Sequence, residues 1–339
     1  MDQNLLNVIK ELPKVDLHVH LEGALSPECL FELARRNGRE NEIGSVDEAR
    51  RMFRFSSPTE FFRQFLYISR FVWTTEDLAL VVGDVLERLA RDNVIYAEIT
   101  LAPRKFVRLG IPYPALVDTL ETAVERSPFR EKLDVRFVMD MVRDLGPDRG
   151  LELVDWIRER PSPLVVAIGL GGSEGYPPEL SVQPFEAARE LGLHRTVHAG
   201  EGSGAPSIWG AIERLGAERI DHGTQAYEDP TLVEYLASNR IPLNMCLTSN
   251  VRLGVVASYE KHPANDYLRA GIPITLGTDD PSFFGKTLSE ELAIFARTFG
   301  VEIDTLIQLQ RNAIEASFLK EAEMERLVER LRGARKVHV

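Results

Sequence analysis

Two cysteines, Cys29 and Cys246, are all that the 339 residues contain. A pair this distant makes no disulfide framework, and a reducing cytoplasm is the compartment that fits. Long apolar runs are also missing. Stretches such as residues 164–168 fall far short of the ~20 residues that a membrane span needs. The first seven residues carry neither a basic cluster nor an apolar segment, so no signal peptide is expected. Nor is there an excess of positive charge. Forty Lys and Arg against 52 Asp and Glu leave a formal net charge of −12. The two signs are interspersed, which argues against a nucleic-acid backbone or an anionic membrane as partner. No repeat, low-complexity tract or linker divides the chain, so residues 1–339 are expected to form one domain.

What is present begins at Pro13-Lys14-Val15-Asp16-Leu17-His18-Val19-His20-Leu21-Glu22-Gly23. The run has the apolar character of a buried strand, and His18 and His20 fall two apart at its end. Strand side chains alternate faces, so both imidazoles point the same way. Alone, such a pair is either half of a metal site or two hydrogen-bonded histidines.

Seven further strand-like runs follow, at 94–100, 135–141, 164–170, 196–199, 219–222, 242–246 and 273–278. Segments of helical periodicity separate them, at 113–124, 148–158, 184–191, 207–215, 230–239 and 263–270. Eight alternations of strand and helix predict a parallel sheet closed into a (β/α)8 barrel. Ser26 and Pro27 predict a helix start. Residues 43–93 contain no strand signal and are expected to form a helical insertion after the first strand, placed to roof a site. Phe61, Phe62 and Phe65 within it suit core packing first and contact with the site second. From about residue 288 the chain is helical throughout, with a basic stretch at 330–336.

In a barrel the carboxyl ends of the strands form the active face. His18 and His20 end the first strand, His198 the fifth, His222 the sixth, and Asp279 and Asp280 the eighth. The fold would gather these residues whatever their separation in sequence. His194, His262 and His338 fall in helical or terminal segments and are given no role.

This arrangement resembles the amidohydrolase superfamily, and its wording is similar to the adenosine deaminase family. The opening stretch, His198-Ala199-Gly200-Glu201, Asp221-His222-Gly223 and Gly277-Thr278-Asp279-Asp280-Pro281 look like that family's signatures, in order, from Leu12 to about Phe318. The resemblance implies one metal ion held by His18, His20, His198 and Asp279. Zn²⁺ is favoured by the ligand chemistry, and another divalent transition metal would fit. It further implies Glu201 as the acid protonating a purine ring nitrogen, His222 orienting or deprotonating the water, Asp280 contacting the five-membered ring, and Gly172 meeting a ring nitrogen through its N–H. His20 and Glu22 are counted with the substrate contacts. Glu201 also suits an ordinary helix-start carboxylate, and Gly172 an ordinary turn.

Other chemistries lack their residues. Gly285-Lys286-Thr287 is not preceded by the glycine of a phosphate loop, Asp280 standing in its place. No Cys-x-x-Cys pair exists for a cytidine-deaminase type of zinc site. The fourth strand has no lysine to bridge two metals.

Adenosine deaminases usually carry Asp where this chain has Glu22. The Glu form resembles adenine deaminases and the deaminases of 6-amino-6-deoxyfutalosine in menaquinone synthesis. That second substrate is an adenosine-like nucleoside with a bulky aromatic group beyond its 5′ carbon. The stretch Thr248 to Gly254 with His262-Pro263 looks more like the second group. Arg252 would meet a substrate carboxylate there, or be a solvated loop residue. The expected reaction is hydrolytic deamination of a small-molecule 6-aminopurine nucleoside. Free adenine, or binding without catalysis, is the alternative. Oligomeric state is left open.

Overall fold

A computed structural model describes residues 3–335, so His338 and the end of the basic tail lie outside the described residues. Eight strands follow one another around a single parallel sheet in sequence order. They are β1 (Lys14–His20), β2 (Val94–Leu101), β3 (Asp134–Val142), β4 (Val165–Gly171), β5 (His194–Ala199), β6 (Arg219–His222), β7 (Leu243–Met245) and β8 (Ile274–Leu276). Both faces of these strands are covered, which is why β2 is buried along its whole length and shows no alternation. The sheet closes where Val19 bridges Asp279, just beyond β8.

Helices connect each strand to the next. Thr75–Arg91 starts on a reciprocal capping box between Thr74 and Asp77. Its Leu78, Val81, Val82, Val85, Leu86 and Leu89 recur at helical spacing and are all buried. This helix is the β1-to-β2 crossover, so the expected insertion at 43–93 narrows to the helices Val46–Met52 and Pro58–Ile68 with their turns. Ser26 caps the helix Pro27–Arg36 as expected, its Oγ accepting from the Cys29 N–H at 3.0 Å. The expected helix at 207–215 is instead Gly204–Trp209 running into a π-helical segment, Gly210–Arg214. The tail forms Leu288–Phe299, Ile303–Ala316 and Glu321–Arg335.

Polar groups plug the barrel interior. Arg219 and Glu98, both fully buried, pair at 2.7 Å between Nη2 and Oε2. Tyr96 donates to Glu98 at 2.8 Å and the Phe318 N–H at 2.7 Å. Buried Lys14 donates to the carbonyls of Ile9, Lys10 and Leu12 and so caps the C-terminus of the helix Gln3–Glu11.

His194 corrects the expectation from sequence. It opens β5, bonds Glu218 at 2.7 Å and stacks on Phe318 at 4.5 Å. The apolar run that marked this strand starts only at Thr196, two residues late.

Candidate active site

Closure of the barrel assembles the site. Asp279 donates its N–H to the His18 carbonyl and accepts from the His20 N–H, both at 2.8 Å. These bonds hold the Asp279 carboxylate over the end of β1. Its Oδ1 lies 3.4 Å from His20 Nε2 and 3.7 Å from His18 Nε2. From β5, His198 Nε2 stands 3.3 Å from His20 Nε2. Thus the four residues expected as metal ligands converge from three strand ends.

Burial lowers the pKa of His18, His20 and His198, leaving neutral imidazoles with free lone pairs. Both ring nitrogens of His18 and Nδ1 of His198 are buried without a hydrogen bond. Orphaned buried polar atoms are costly, and ligation of a cation is what would satisfy the inward-facing ones. Two triads offer one ligand atom each within 4.8 Å of one another, His18, His20 and Asp279, and His18, His198 and His222. The donor set therefore fits a divalent transition metal. Cys246 also lies within this distance of His222 and Asp279, and burial pushes its thiol pKa well up, so the thiolate is disfavoured.

Sequence reasoning missed Asp221. Its carboxylate sits behind the imidazoles, 3.7 Å from His18 Nδ1 and 3.8 Å from His198 Nδ1. Asn244 and Thr196 each donate to it at 2.7 Å. A negative charge on that side favours the proton on Nδ1 of each ring and leaves the Nε2 lone pairs for the centre. Strand alternation makes Asp221 and His222 point apart, yet both face the site. The cause is a left-handed backbone at His222, φ +67°, matched by φ +60° at Asp279.

His222 Nε2 faces Glu201 Oε2 at 3.5 Å, and Asn250 Nδ2 donates to Glu201 Oε1 at 3.2 Å. Burial, then the charges of Asp279 and Glu174, hold the Glu201 pKa well above its usual value. The carboxyl therefore holds its proton to higher pH than an exposed glutamate does. Glu174 was also missed. It accepts from the N–H groups of Glu201 at 3.1 Å and Ser203 at 2.6 Å, and from that of Gly202, fixing the turn that carries Glu201.

Asp280 is likewise pushed well up, by burial and by Asp279 beside it. Its Oδ1 is buried without a partner. A Cβ on Gly23 would fall 1.7 Å from this atom, which explains a glycine after Glu22. Glu22 itself is buried and accepts from Lys105 Nζ at 2.9 Å. The same ammonium lies 5.5 Å from the centre of the Phe65 ring. Gly172 has φ +90°, and a Cβ there would meet Asp144 Oδ2 at 2.2 Å, so the turn itself requires glycine.

Of the phenylalanines, Phe61 packs against Phe283 and Phe284, while Phe62 is 56% exposed. Arg252 is exposed at the end of the short helix Leu247–Arg252. It donates to the Phe283 carbonyl at 2.8 Å and lies over the Phe55 ring at 4.2 Å.

A sequence model of one protein family, described as adenosine deaminase, matches residues 13–334. An aminodeoxyfutalosine deaminase of Streptomyces avermitilis is 36% identical over 96% of this chain and 92% of its own length. Among solved structures, an adenine deaminase from Arthrobacter aurescens superposes with a TM-score of 0.91 at 30% identity, covering 96% of this chain and 99% of that one. An amidohydrolase from Burkhoderia ambifaria, solved with bound Zn, gives 0.90 at 25% identity over 100% and 95%.

Proposed function

This chain belongs to the adenosine deaminase family, is a hydrolase acting on aminopurines, and, we propose, deaminates a 6-aminopurine nucleoside with the residues described above. His18, His20, His198 and Asp279 would hold the metal, taken here to be zinc. Such an ion is a Lewis acid that brings the pKa of water down to about 7.

The chain's own groups do the rest. Water oxygen adds to the ring carbon bearing the amine, with His222 holding that water or taking its proton. The carboxyl of Glu201 gives its proton to the adjacent ring nitrogen, so negative charge does not build there. Asp280, whose proton burial helps to retain, donates to a nitrogen of the five-membered ring. The Gly172 N–H meets the six-membered ring at close approach. One proton of the added water passes to the amine, the carbon–nitrogen bond breaks and ammonia leaves, the other water proton returns to the Glu201 carboxylate, and a 6-oxopurine remains.

The nucleoside, as opposed to the free base, is supported by one observation. Lys105 joins Glu22 at 2.9 Å to the Phe65 ring at 5.5 Å, so a polar pair borders an aromatic wall beside Asp280. A sugar with an aromatic substituent beyond its 5′ carbon presents both surfaces, as 6-amino-6-deoxyfutalosine does. Free adenine has nothing to place there. That substrate would set the reaction in menaquinone synthesis, in the cytoplasm.

Deamination rates on 6-amino-6-deoxyfutalosine, adenosine and adenine, followed by ultraviolet absorbance, test the choice. The two nucleosides should exceed adenine by about 100-fold or more in kcat/KM. A preference for adenine would overturn the substrate and leave the chemistry intact.

A further inference from the structure

His262, given no role by the sequence, is 2% exposed and lies just after the turn Tyr259–Lys261. Its Nδ1 accepts from the Ala264 N–H at 3.3 Å, and its Nε2 faces Asn250 Oδ1 at 3.1 Å. A backbone N–H can only donate, so Nδ1 is unprotonated and the ring proton sits on Nε2. Burial, and then the neighbouring His222, push the His262 pKa down to about 3, which keeps the ring neutral. Thr224 Oγ1 also reaches Asn250 Oδ1, at 3.4 Å.

With its oxygen occupied by donors, the Asn250 amide has one orientation. The NH2 group faces two acceptors, Glu201 Oε1 and His222 Nδ1, each at 3.2 Å. An NH2 cannot accept, so Nδ1 of His222 carries no proton.

We propose that His262 is a positioning residue that, through Asn250, locks His222 with its proton on Nε2. His222 then meets the attacking water as a hydrogen-bond donor and does not act as its base. This rests on the assignment of Glu201 and His222 as reacting groups, and it decides between the two roles left open for His222.

The tautomer is read without substrate, so its outcome is separate from that of the substrate assays. The zinc-loaded full chain, labelled with 15N-histidine, gives long-range proton–nitrogen correlations for its seven histidines. The His222 signals are assigned from their loss in His222→Asn. Wild-type protein should show His222 protonated at Nε2. In His262→Phe the Asn250 amide is released, and His222 should show the Nδ1–H form in addition. There kcat should fall about 10- to 100-fold, as for other outer-shell partners, with KM changed by less than about threefold. His262→Gln keeps an N–H where Nε2 was, and should return both tautomer and kcat to within about threefold of wild type. An Nδ1–H signal at His222 in wild type overturns the proposal. So does a His262→Gln as impaired as His262→Phe at equal metal content and equal Tm, since that marks a purely structural residue.

Discussion

Asp279 reaches across the barrel seam to His18, its backbone N–H bonding the His18 carbonyl at 2.8 Å. The His20 N–H returns to the Asp279 carbonyl at the same distance. These bonds are the join between β8 and β1, so closing the barrel and aligning the side chains of His18, His20 and Asp279 are one event. Residues 261 positions apart in sequence thereby share a site without any loop having to fold over it.

The acid comes first among the tests. Glu201→Gln keeps the shape and removes the transferable proton, so kcat should fall about 10²- to 10⁴-fold. The Glu201 pKa is raised, so its proton is lost at higher pH than from an ordinary glutamate. Activity should decline there as pH rises, and the residual rate of the Gln variant should lack that limb. Retention of activity within about tenfold, or 1.4 kcal/mol of barrier, would remove Glu201 from the mechanism.

Asp221 faces two imidazoles from behind, 3.7 Å from His18 Nδ1 and 3.8 Å from His198 Nδ1. Asp221→Asn should weaken metal affinity about 10- to 100-fold, measured by competition with a chelator, with little change in secondary structure. Unchanged affinity would show that His18 and His198 are held by their strands alone. Complete stripping of the metal should abolish ammonia release, and reloading should restore it.

Gly23→Ala brings a methyl carbon to 1.7 Å from Asp280 Oδ1 in the present geometry. The carboxyl must move, and kcat/KM should drop by about tenfold or more. Thermal unfolding should show a loss of about 1–3 kcal/mol from overpacking. A variant that binds and turns over normally would mean that Asp280 does not touch the purine.

The interior ion pair predicts stability without reference to catalysis. Arg219→Met leaves the Glu98 carboxylate buried, and urea unfolding should show a loss of about 3–5 kcal/mol. Adding Glu98→Gln should recover part of it. Equal losses in the single and double variants would mean the pair is uncoupled.

Much of this was legible from the chain. Buried parallel strands are nearly continuous apolar runs, so their order and number could be read, and 219–222 coincides with β6. His194 was misplaced because the first two residues of β5 are polar, taken up by Glu218 at the barrel's edge. The expected ligand residues stood out because strand ends are where a barrel concentrates chemistry. Asp221 did not, since alternation turns it away from His222 unless the backbone at 222 is left-handed, and nothing in Asp-His-Gly announces that. Glu174, Asn250 and His262 make their contacts between segments far apart in sequence, which no local pattern encodes. The Asn250 and His262 pair carries a signal only in hindsight, a histidine before a proline that ends up walled in.

His222 and Asp279 are two of the four non-glycine residues with positive φ among the described residues. Such a backbone costs on the order of 1–3 kcal/mol at each position. The chain thus keeps part of its least comfortable geometry where it does its chemistry. A descendant released from deamination would become sturdier by accepting glycine at either place. Imidazole at 222 and carboxylate at 279 are therefore held against the gain in stability that glycine would bring.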